Sequence, residues 1–386
     1  NQTIIFIYEI FNIIFIIICF GFAFAGEPVT LDTIVVNPSE GVSAESLKKN
    51  YSIKIVSARE LAQMNLGSVA EVLNYVAGVD VRTRGGSGIQ SDVSLRGSTF
   101  EEVSVLIDGI KVMDPQTGHY NFDIPLTSFD IERIEVIKEG ASSLYGAGAC
   151  AGSVNIVTKK PAKRLFQAQT LFGEHALFGQ SMSLSMPQDI FSSRISFDHA
   201  ISKAARPNTD FEYSSASVFL DKQFSTSTPG VERVDAMCGY QKKDFGADSF
   251  YSNLFPEEEE HTQTLFLKAG IHAGVDFGKL DNSIFLRSHR DKFILARNTP
   301  TSVNYHTTYV YGMNSECSIP LEYGTFILSA EAGSDEINST NLGKHARFHQ
   351  AGAIGFVPEL GERFSLDSRV RVDTYQHWDA QESYNL

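Results

Sequence analysis

Long stretches of alternating apolar and polar residues fill the chain after Pro161. In the segment 264–277, Leu265, Leu267 and Ile271 fall on one face of an extended strand, while Lys268 and His272 fall on the other. About eleven runs of this kind occur, most of them near the roughly ten residues that a membrane β-strand needs. Strands of a β-sandwich also alternate, but they are usually only about 5–6 residues long. The pattern therefore favours an antiparallel transmembrane β-barrel, apolar outside and polar inside, over a sandwich.

Residues 53–160 follow a different pattern, in which helix and strand signals are mixed. Ser57 with Glu60, and Ser68 with Glu71, form two capping boxes ahead of apolar spacing, which predicts two short helices. We expect Gly78 to end the second helix. Strand-like runs follow at 92–95, 103–107, 134–137 and 154–157. This part of the chain is predicted to be a compact α+β domain ahead of the barrel.

The glycine-rich segment 142–160 contains the spacing GxGxxA at Gly146, Gly148 and Ala151. A dinucleotide site would need a helix to open directly after these glycines. The residues that follow, 153–159, alternate and are β-branched, so they predict a strand instead. We interpret the glycines as a tight turn between strands.

The first 25 residues are of another kind, apolar from Ile10 and ending in an A-x-A sequence at Ala25. This predicts a cleaved export signal. A membrane-anchoring helix is the alternative, although Glu9 and Asn12 leave fewer than the roughly 20 clean apolar residues that a span needs. Because residue 1 is Asn, we expect the sequence to begin inside the precursor.

Charge and side-chain chemistry exclude some functions. A net charge of -14 argues against a nucleic-acid-binding protein. No arrangement of nucleophile, base and acid indicates an enzyme, and no cofactor is predicted. The carboxylates of Glu257, Glu258 and Glu259 are weak candidates for a metal site, and a solvated acidic loop between strands is the other interpretation.

Four segments, at 31–36, 55–81, 93–112 and 131–160, resemble in order the conserved stretches of the TonB-dependent outer-membrane receptors. The resemblance implies a signal peptide at 1–25, a TonB box and linker at 26–50, a plug domain at 51–161 and the N-terminal part of the barrel at 162–386. The family barrel has 22 strands, of which about half would fit here. We therefore expect the sequence to be a piece of a longer receptor.

The same resemblance implies three sets of functional residues. The TonB box, which would pair as an added strand with the TonB energy-coupling protein, would be Asp32, Thr33, Ile34, Val35 and Val36. The substrate-binding residues, on apical loops 84–91 and 114–121, would be Gly86, Ser87, Gln90, Ser91, His119 and Tyr120. The polar contacts of plug and barrel would be made by Arg96, Glu132 and Glu135, paired with each other or with the barrel wall.

The function implied is energised uptake of a scarce, large nutrient by a monomer in the outer membrane of a Gram-negative-type bacterium. A passive plugged pore or an adhesin is the alternative. Few basic residues occur in the two apical loops, which favours cobalamin or a related corrinoid over an anionic ferric siderophore. The ferric chelate remains the second candidate.

Overall fold

The computed structural model describes residues 50–64, 68–86, 88–203, 205–225, 230–298, 302–358, 366–376 and 380–385. All of them lie in one compact unit. The predicted signal at 1–25 and the predicted TonB box lie outside the described residues.

The N-terminal domain is built on a five-stranded sheet. In chain order its elements are β1 (Ile53–Ser57), α1 (Ala58–Met64), α2 (Val69–Leu73), β2 (Val79–Arg84), β3 (Gln90–Leu95), β4 (Val103–Ile107), β5 (Ile110–Lys111), β6 (Ile131–Ile137), α3 (Ser142–Tyr145) and β7 (Gly152–Thr158). The sheet order is β1-β6-β7-β4-β5, and β2 and β3 form a separate hairpin. Only β4 and β7 pair in parallel among these strands.

Both predicted N-caps lie where the sequence indicates: Ser68 Oγ accepts from the Glu71 amide at 3.2 Å, and the box at Ser57 is complete. The amide of Glu60 donates to Ser57 Oγ at 3.3 Å, and the amide of Ser57 donates to the Glu60 carboxylate at 2.7 Å. These hydrogen bonds, together with Lys54, lower the pKa of Glu60 to about 2. The second helix ends at Leu73, so Gly78 does not close it as expected but turns the chain into β2 at φ +82°. Among the described residues, no helix is both long and apolar enough to cross a membrane.

The glycine-rich segment is a turn that leads into a strand. Gly146 and Gly148 have φ of +74° and +88°, and β7 begins at Gly152 without an intervening helix. A Cβ on Gly152 would lie 2.1 Å from the carbonyl oxygen of Ile137. Glycine is therefore required here by close backbone approach, as the prediction of a tight turn supposed.

The rest of the described chain forms one antiparallel sheet of twelve strands, which we call the wall sheet. Its strands are β8 (Leu165–Phe172), β9 (Phe178–Met186), β10 (Ser192–Ser202), β11 (Phe211–Gln223), β12 (Gly230–Gly246), β13 (Glu259–Val275), β14 (Gly278–Ile294), β15 (Val303–Leu321), β16 (Gly324–Ser339), β17 (Gly343–Pro358), β18 (Ser368–Tyr375) and β19 (Gln381–Asn385). They pair in chain order, which leaves β8 and β19 at the two edges. The sheet is a partial barrel.

The wall sheet has opposite chemistry on its two faces. On β13, Thr262 and Thr264 are buried against the N-terminal domain, whereas Ile271 on the other face is 50% exposed. Three apolar wall residues, Phe219, Met237 and Phe266, extend the apolar core of the N-terminal domain. The alternation that predicted a barrel is therefore seen as a polar inner face and an apolar outer face.

Candidate functional site

The connections between wall strands differ at the two ends of the sheet. At one end, which we call the loop end, lie the connections β10–β11, β12–β13 and β14–β15. They are tied together, because Asn208 Nδ2 donates to the Glu258 carbonyl at 2.7 Å and Arg297 Nη1 contacts Asp210 at 2.7 Å. The opposite end, the turn end, carries the short connections β13–β14 and β15–β16. Both apical loops of the N-terminal domain lie at the loop end.

The first apical loop, 84–91, packs against the wall instead of standing free. Arg84 Nη1 contacts Asp92 at 2.5 Å, and Gln90 Nε2 donates to the Tyr251 hydroxyl at 2.8 Å. A Cβ on Gly86 would lie 2.9 Å from the Phe211 ring. Gln90 and Ser91 are 2% exposed. In this conformation the loop packs both side chains inward, and their role in ligand binding stays a prediction. Ser87 lies outside the described residues.

The second apical loop, 114–121, is fixed by Asp114. Its carboxylate accepts from the Gln116 amide at 3.2 Å and from Thr308 Oγ1 of the wall at 3.1 Å. Tyr120 is buried, and its hydroxyl donates to Glu260 at 3.2 Å. Burial, followed by the nearby Glu260 charge, raises the pKa of Tyr120 well above its ordinary value. Tyr120 was predicted to contact the ligand, but in this conformation it anchors the loop.

His119 joins the two apical loops. Its Nδ1 lies 2.8 Å from the Asp92 carboxylate, and its ring stacks on Phe100 with centroids 4.8 Å apart. The Tyr251 ring lies 5.7 Å away on the wall side and is itself 41% exposed. His119, the backbone at Gly86 and the Tyr251 ring are thus the parts of the site that remain partly open. Tyr251 was not predicted from the sequence, although it lies in a loop with two further aromatic residues, Phe250 and Phe255, and loops often carry binding residues.

The three glutamates named as weak metal candidates, at the start of β13 and just before it, have different surroundings. Glu258 is buried and accepts hydrogen bonds from the amides of Phe250 and Tyr251. Burial raises its pKa to about 7. Glu259 faces Arg297 at 3.4 Å, and Glu257 is exposed. Within the described ranges no group of three or more His, Cys, Asp or Glu side chains could hold a metal ion. The weak metal candidates therefore do not converge.

Below the apical loops, buried charges fasten the domain to the wall. Asp130 accepts from Arg194 Nε at 2.7 Å, Ser196 Oγ at 2.6 Å and Ser217 Oγ at 2.8 Å. Lys243 of β12 contacts Asp123 at 2.6 Å. The sequence analysis did not identify these residues, because the partners are at least 64 residues apart.

The hydrogen-bond partners differ from the predicted ones for Arg96, Glu132 and Glu135. Arg133 bridges the two glutamates at 2.8 Å each, and Arg96 donates to Ser52 at 3.0 Å. All these partners belong to the N-terminal domain. The expectation that the three pair with one another or with the wall is therefore wrong for their hydrogen bonds. The side chain of Arg133, which lies between the two glutamates in sequence, contacts both carboxylates.

A cavity of about 740 Å³ lies between the N-terminal domain and strands β14 to β18. The second apical loop and Lys111 line it on one side, and Glu331, Asp335 and Arg347 line it on the other. Beside it, Arg371 contacts Glu331 at 2.8 Å and packs against Gly146. Its volume is in the range of small-molecule pockets.

Similarity to known proteins agrees with this arrangement. Residues 46–153 match the family model "TonB-dependent Receptor Plug Domain". "Vitamin B12 transporter BtuB" of Vibrio vulnificus is 28% identical over 251 residues, which is 63% of this chain and 40% of that protein. The N-terminal domain therefore belongs to the plug domains of TonB-dependent receptors. In this chain the plug is followed by the wall sheet, a partial barrel.

Other TonB-dependent receptors resemble it over shorter stretches or in fold. "Ferrichrome outer membrane transporter/phage receptor" of Escherichia coli is 32% identical over 154 residues, covering 38% of this chain and 20% of that protein. The crystal structure of the siderophore receptor PirA from Pseudomonas aeruginosa has a TM-score of 0.69 at 19% identity, covering 86% of this chain and 57% of that one. This last likeness is one of fold. The chain spans less than half the length of the curated relatives named here.

Proposed function

We propose that this chain is the plug and part of the barrel of an outer-membrane receptor for energised uptake of a large nutrient. The observation that carries the proposal is the plug fastened inside the wall by buried ion pairs, with both apical loops at the loop end. A plug held by polar contacts can be displaced without exposing a large apolar surface, which suits a transporter that must open. The receptor acts without catalysis or cofactor and works as a monomer.

The loop end faces the exterior, and the ligand docks there on the apical loops and Tyr251. A corrinoid is large, amphipathic and rich in amides, so it suits an aromatic and neutral polar surface. The one basic side chain of the apical loops, Arg84, is neutralised by Asp92. The match to a vitamin B12 transporter supports the same ligand class.

A ferric chelate is the second candidate ligand. The likeness to a ferrichrome transporter and to a siderophore receptor favours it. The exposed cations Lys203 and Arg206 in the β10–β11 connection could meet an anionic ligand.

Binding to the full-length receptor distinguishes these ligands. We expect tight binding of cyanocobalamin and weak binding across a panel of ferric siderophores. Tyr251→Ala should weaken cyanocobalamin binding by about tenfold, since an aromatic contact is lost at the mouth. The matched control Tyr323→Ala removes a ring that is 72% exposed at the turn end and should leave the affinity unchanged. Tight siderophore binding without cobalamin binding would reverse the choice.

Energy coupling is assigned to Asp32, Thr33, Ile34, Val35 and Val36. Ile34→Pro should reduce uptake to background while ligand affinity is retained, because proline removes a backbone donor from an added strand. Ile34→Val keeps the β-branched side chain and should transport normally. Uptake by the Ile34→Pro variant at the normal rate would favour the passive pore.

A further inference from the structure

The outer face of the wall sheet carries an apolar band with defined limits. On β13 the outward side chains of the band run from Leu265 to Val275, and pairing places Tyr240 and Leu286 beside them. At the turn end, exposed aromatic rings mark the lower limit of the band: Phe191, Phe224, Phe277 and Tyr323. Aromatic rings concentrate where a membrane meets water. The turn-end limit is therefore the level of one lipid interface.

The upper limit is set by two polar rows across the same strands. Pairing aligns Lys242, Gln263 and Arg290 in one row, and His261 and Lys292 in the row above. Gln263 and Val275 are twelve residues apart. At about 3.4 Å per residue and a tilt of roughly 45°, that distance spans about 25–30 Å, the height of a membrane-crossing apolar band. The first polar row therefore lies at the level of lipid headgroups.

The cations of these rows are only partly neutralised. Lys242 pairs with Asp244, which also contacts His261 Nδ1 at 2.6 Å. Above them, Glu259 faces Arg297 at 3.4 Å. Arg290 is exposed and Lys292 is half-buried, and within the described part of the chain neither makes an ion pair or a side-chain hydrogen bond.

Arg290 and Lys292 project from the same face of one strand, about 7 Å apart along it. Two unpaired like charges at such a distance repel each other unless an anion lies between them. An arginine guanidinium beside a lysine ammonium is suited to a phosphate group, which accepts a forked pair of N–H bonds and a point charge together. Gln263 of the neighbouring strand adds an amide donor at the same level.

We propose that Arg290, Lys292 and Gln263 bind the phosphate headgroup of an anionic membrane lipid on the outer wall. The acyl chains of that lipid lie on the apolar band below, over Leu265 and Leu286. The inference rests on the membrane placement in the proposed function. The site lies on the lipid side of the sheet, on the face opposite the plug, and is separate from the nutrient site.

The test uses the full-length receptor in detergent micelles, with lipid retention counted by native mass spectrometry. We expect phosphatidylglycerol to be retained over phosphatidylcholine. Arg290→Gln combined with Lys292→Gln should weaken that retention by roughly 10- to 30-fold, since each interfacial cation contributes about fivefold. The matched control Lys344→Gln, which removes an exposed outward cation from β17, should change nothing.

Equal retention of the two lipids, or an unchanged affinity in the double variant, would overturn the inference. The inference would also be overturned if inorganic phosphate protected the receptor from unfolding as well as phosphatidylglycerol does. The site would then bind the free ion and not a lipid. Insertion into liposomes is measured in parallel. A receptor that fails to insert contradicts the proposed function, whereas one that inserts without lipid preference contradicts this inference alone.

Discussion

The plug and the wall sheet place their apolar and charged side chains in opposite ways. In the plug, the sheet interior is apolar, with Ile134, Val154 and Ile156 fully buried. In the wall, the buried face is rich in charge and includes Arg287 and Arg371, while apolar side chains point outward. A soluble domain hides apolar surface from water, but a barrel wall in lipid has no reason to do so.

This difference decides how the two regions attach. Because the wall turns its apolar face outward, it meets the plug mainly with polar groups, apart from contacts such as Phe219 and Phe266. Buried ions are costly when left alone, and at the junction the partner comes from the other region, as for Asp130 and Arg194. The junction is therefore strong while every pair is complete and sensitive to the loss of a single member.

The largest expected loss of stability follows from the removal of the Asp130 carboxylate. Asp130→Ala removes the partner of Arg194 and of two serines, and should lower the free energy of unfolding by about 3–5 kcal/mol. Urea unfolding in micelles measures it. Glu132→Ala, which removes a side chain that is 39% exposed, should cost less than about 1 kcal/mol.

The double variant Asp130→Ala with Arg194→Leu separates charge compensation from packing at the junction of plug and wall. Removal of both charges should recover part of the lost stability, because no ion is left buried alone. An additive loss would show that the contact contributes packing more than charge compensation.

A lysine on the outer face of the wall tests whether that face contacts lipid. Ile271→Lys places a charge in the middle of the apolar band and should cost about 2–4 kcal/mol when unfolding is measured in lipid vesicles. Ile271→Leu is the control and should be nearly neutral. A negligible effect of the lysine would mean that this face is in water, as in a sandwich.

Stability at the loop end should depend on pH through Glu258. Its pKa is raised to about 7 in the folded protein, against about 4.5 for the free group. Above pH 7 the carboxyl is charged in both states, and its burial is unfavourable. Between pH 7 and about 4.5 only the folded state takes up the proton, so this group adds stability as the pH falls. Glu258→Gln should flatten the thermal midpoint profile across that range, with Glu257→Gln as the exposed control.

The smallest expected effect is inside the plug. Ser57→Ala removes a helix cap and should cost about 1 kcal/mol, whereas Ser57→Thr keeps the hydroxyl. Thermal unfolding of the two variants measures the difference. Equal stability of both would show that packing of Leu61 and Met64 on the apolar core, and not the cap, holds α1 in place.

The sequence predicted most of the elements and fewer of the contacts. Capping at Ser57 and Ser68, the strand at 154–157 and the alternation of 264–277 depend on residues close together in the chain, so local rules suffice. Arg133 was missed as the partner of Glu132 and Glu135 because sequence position does not show which neighbours a buried side chain selects.

The ligand residues show the same limit. A loop rich in Gly, Ser and Gln is polar by composition, and Gln90 and Ser91 were therefore predicted to offer donors and acceptors to a ligand. In the fold the loop packs on Phe211 and Tyr251, which lie more than 100 residues later, and buries both side chains.

The sequence by itself determined the class of each region, since the period of its apolar residues sets which face of every strand is apolar. Only the tertiary structure decided which charges of the wall meet the plug. Alternation shows which side chains of a strand share a face, but not which residues of another region they contact. Those partners are set when segments far apart in the chain come together, as Asp130 and Arg194 do.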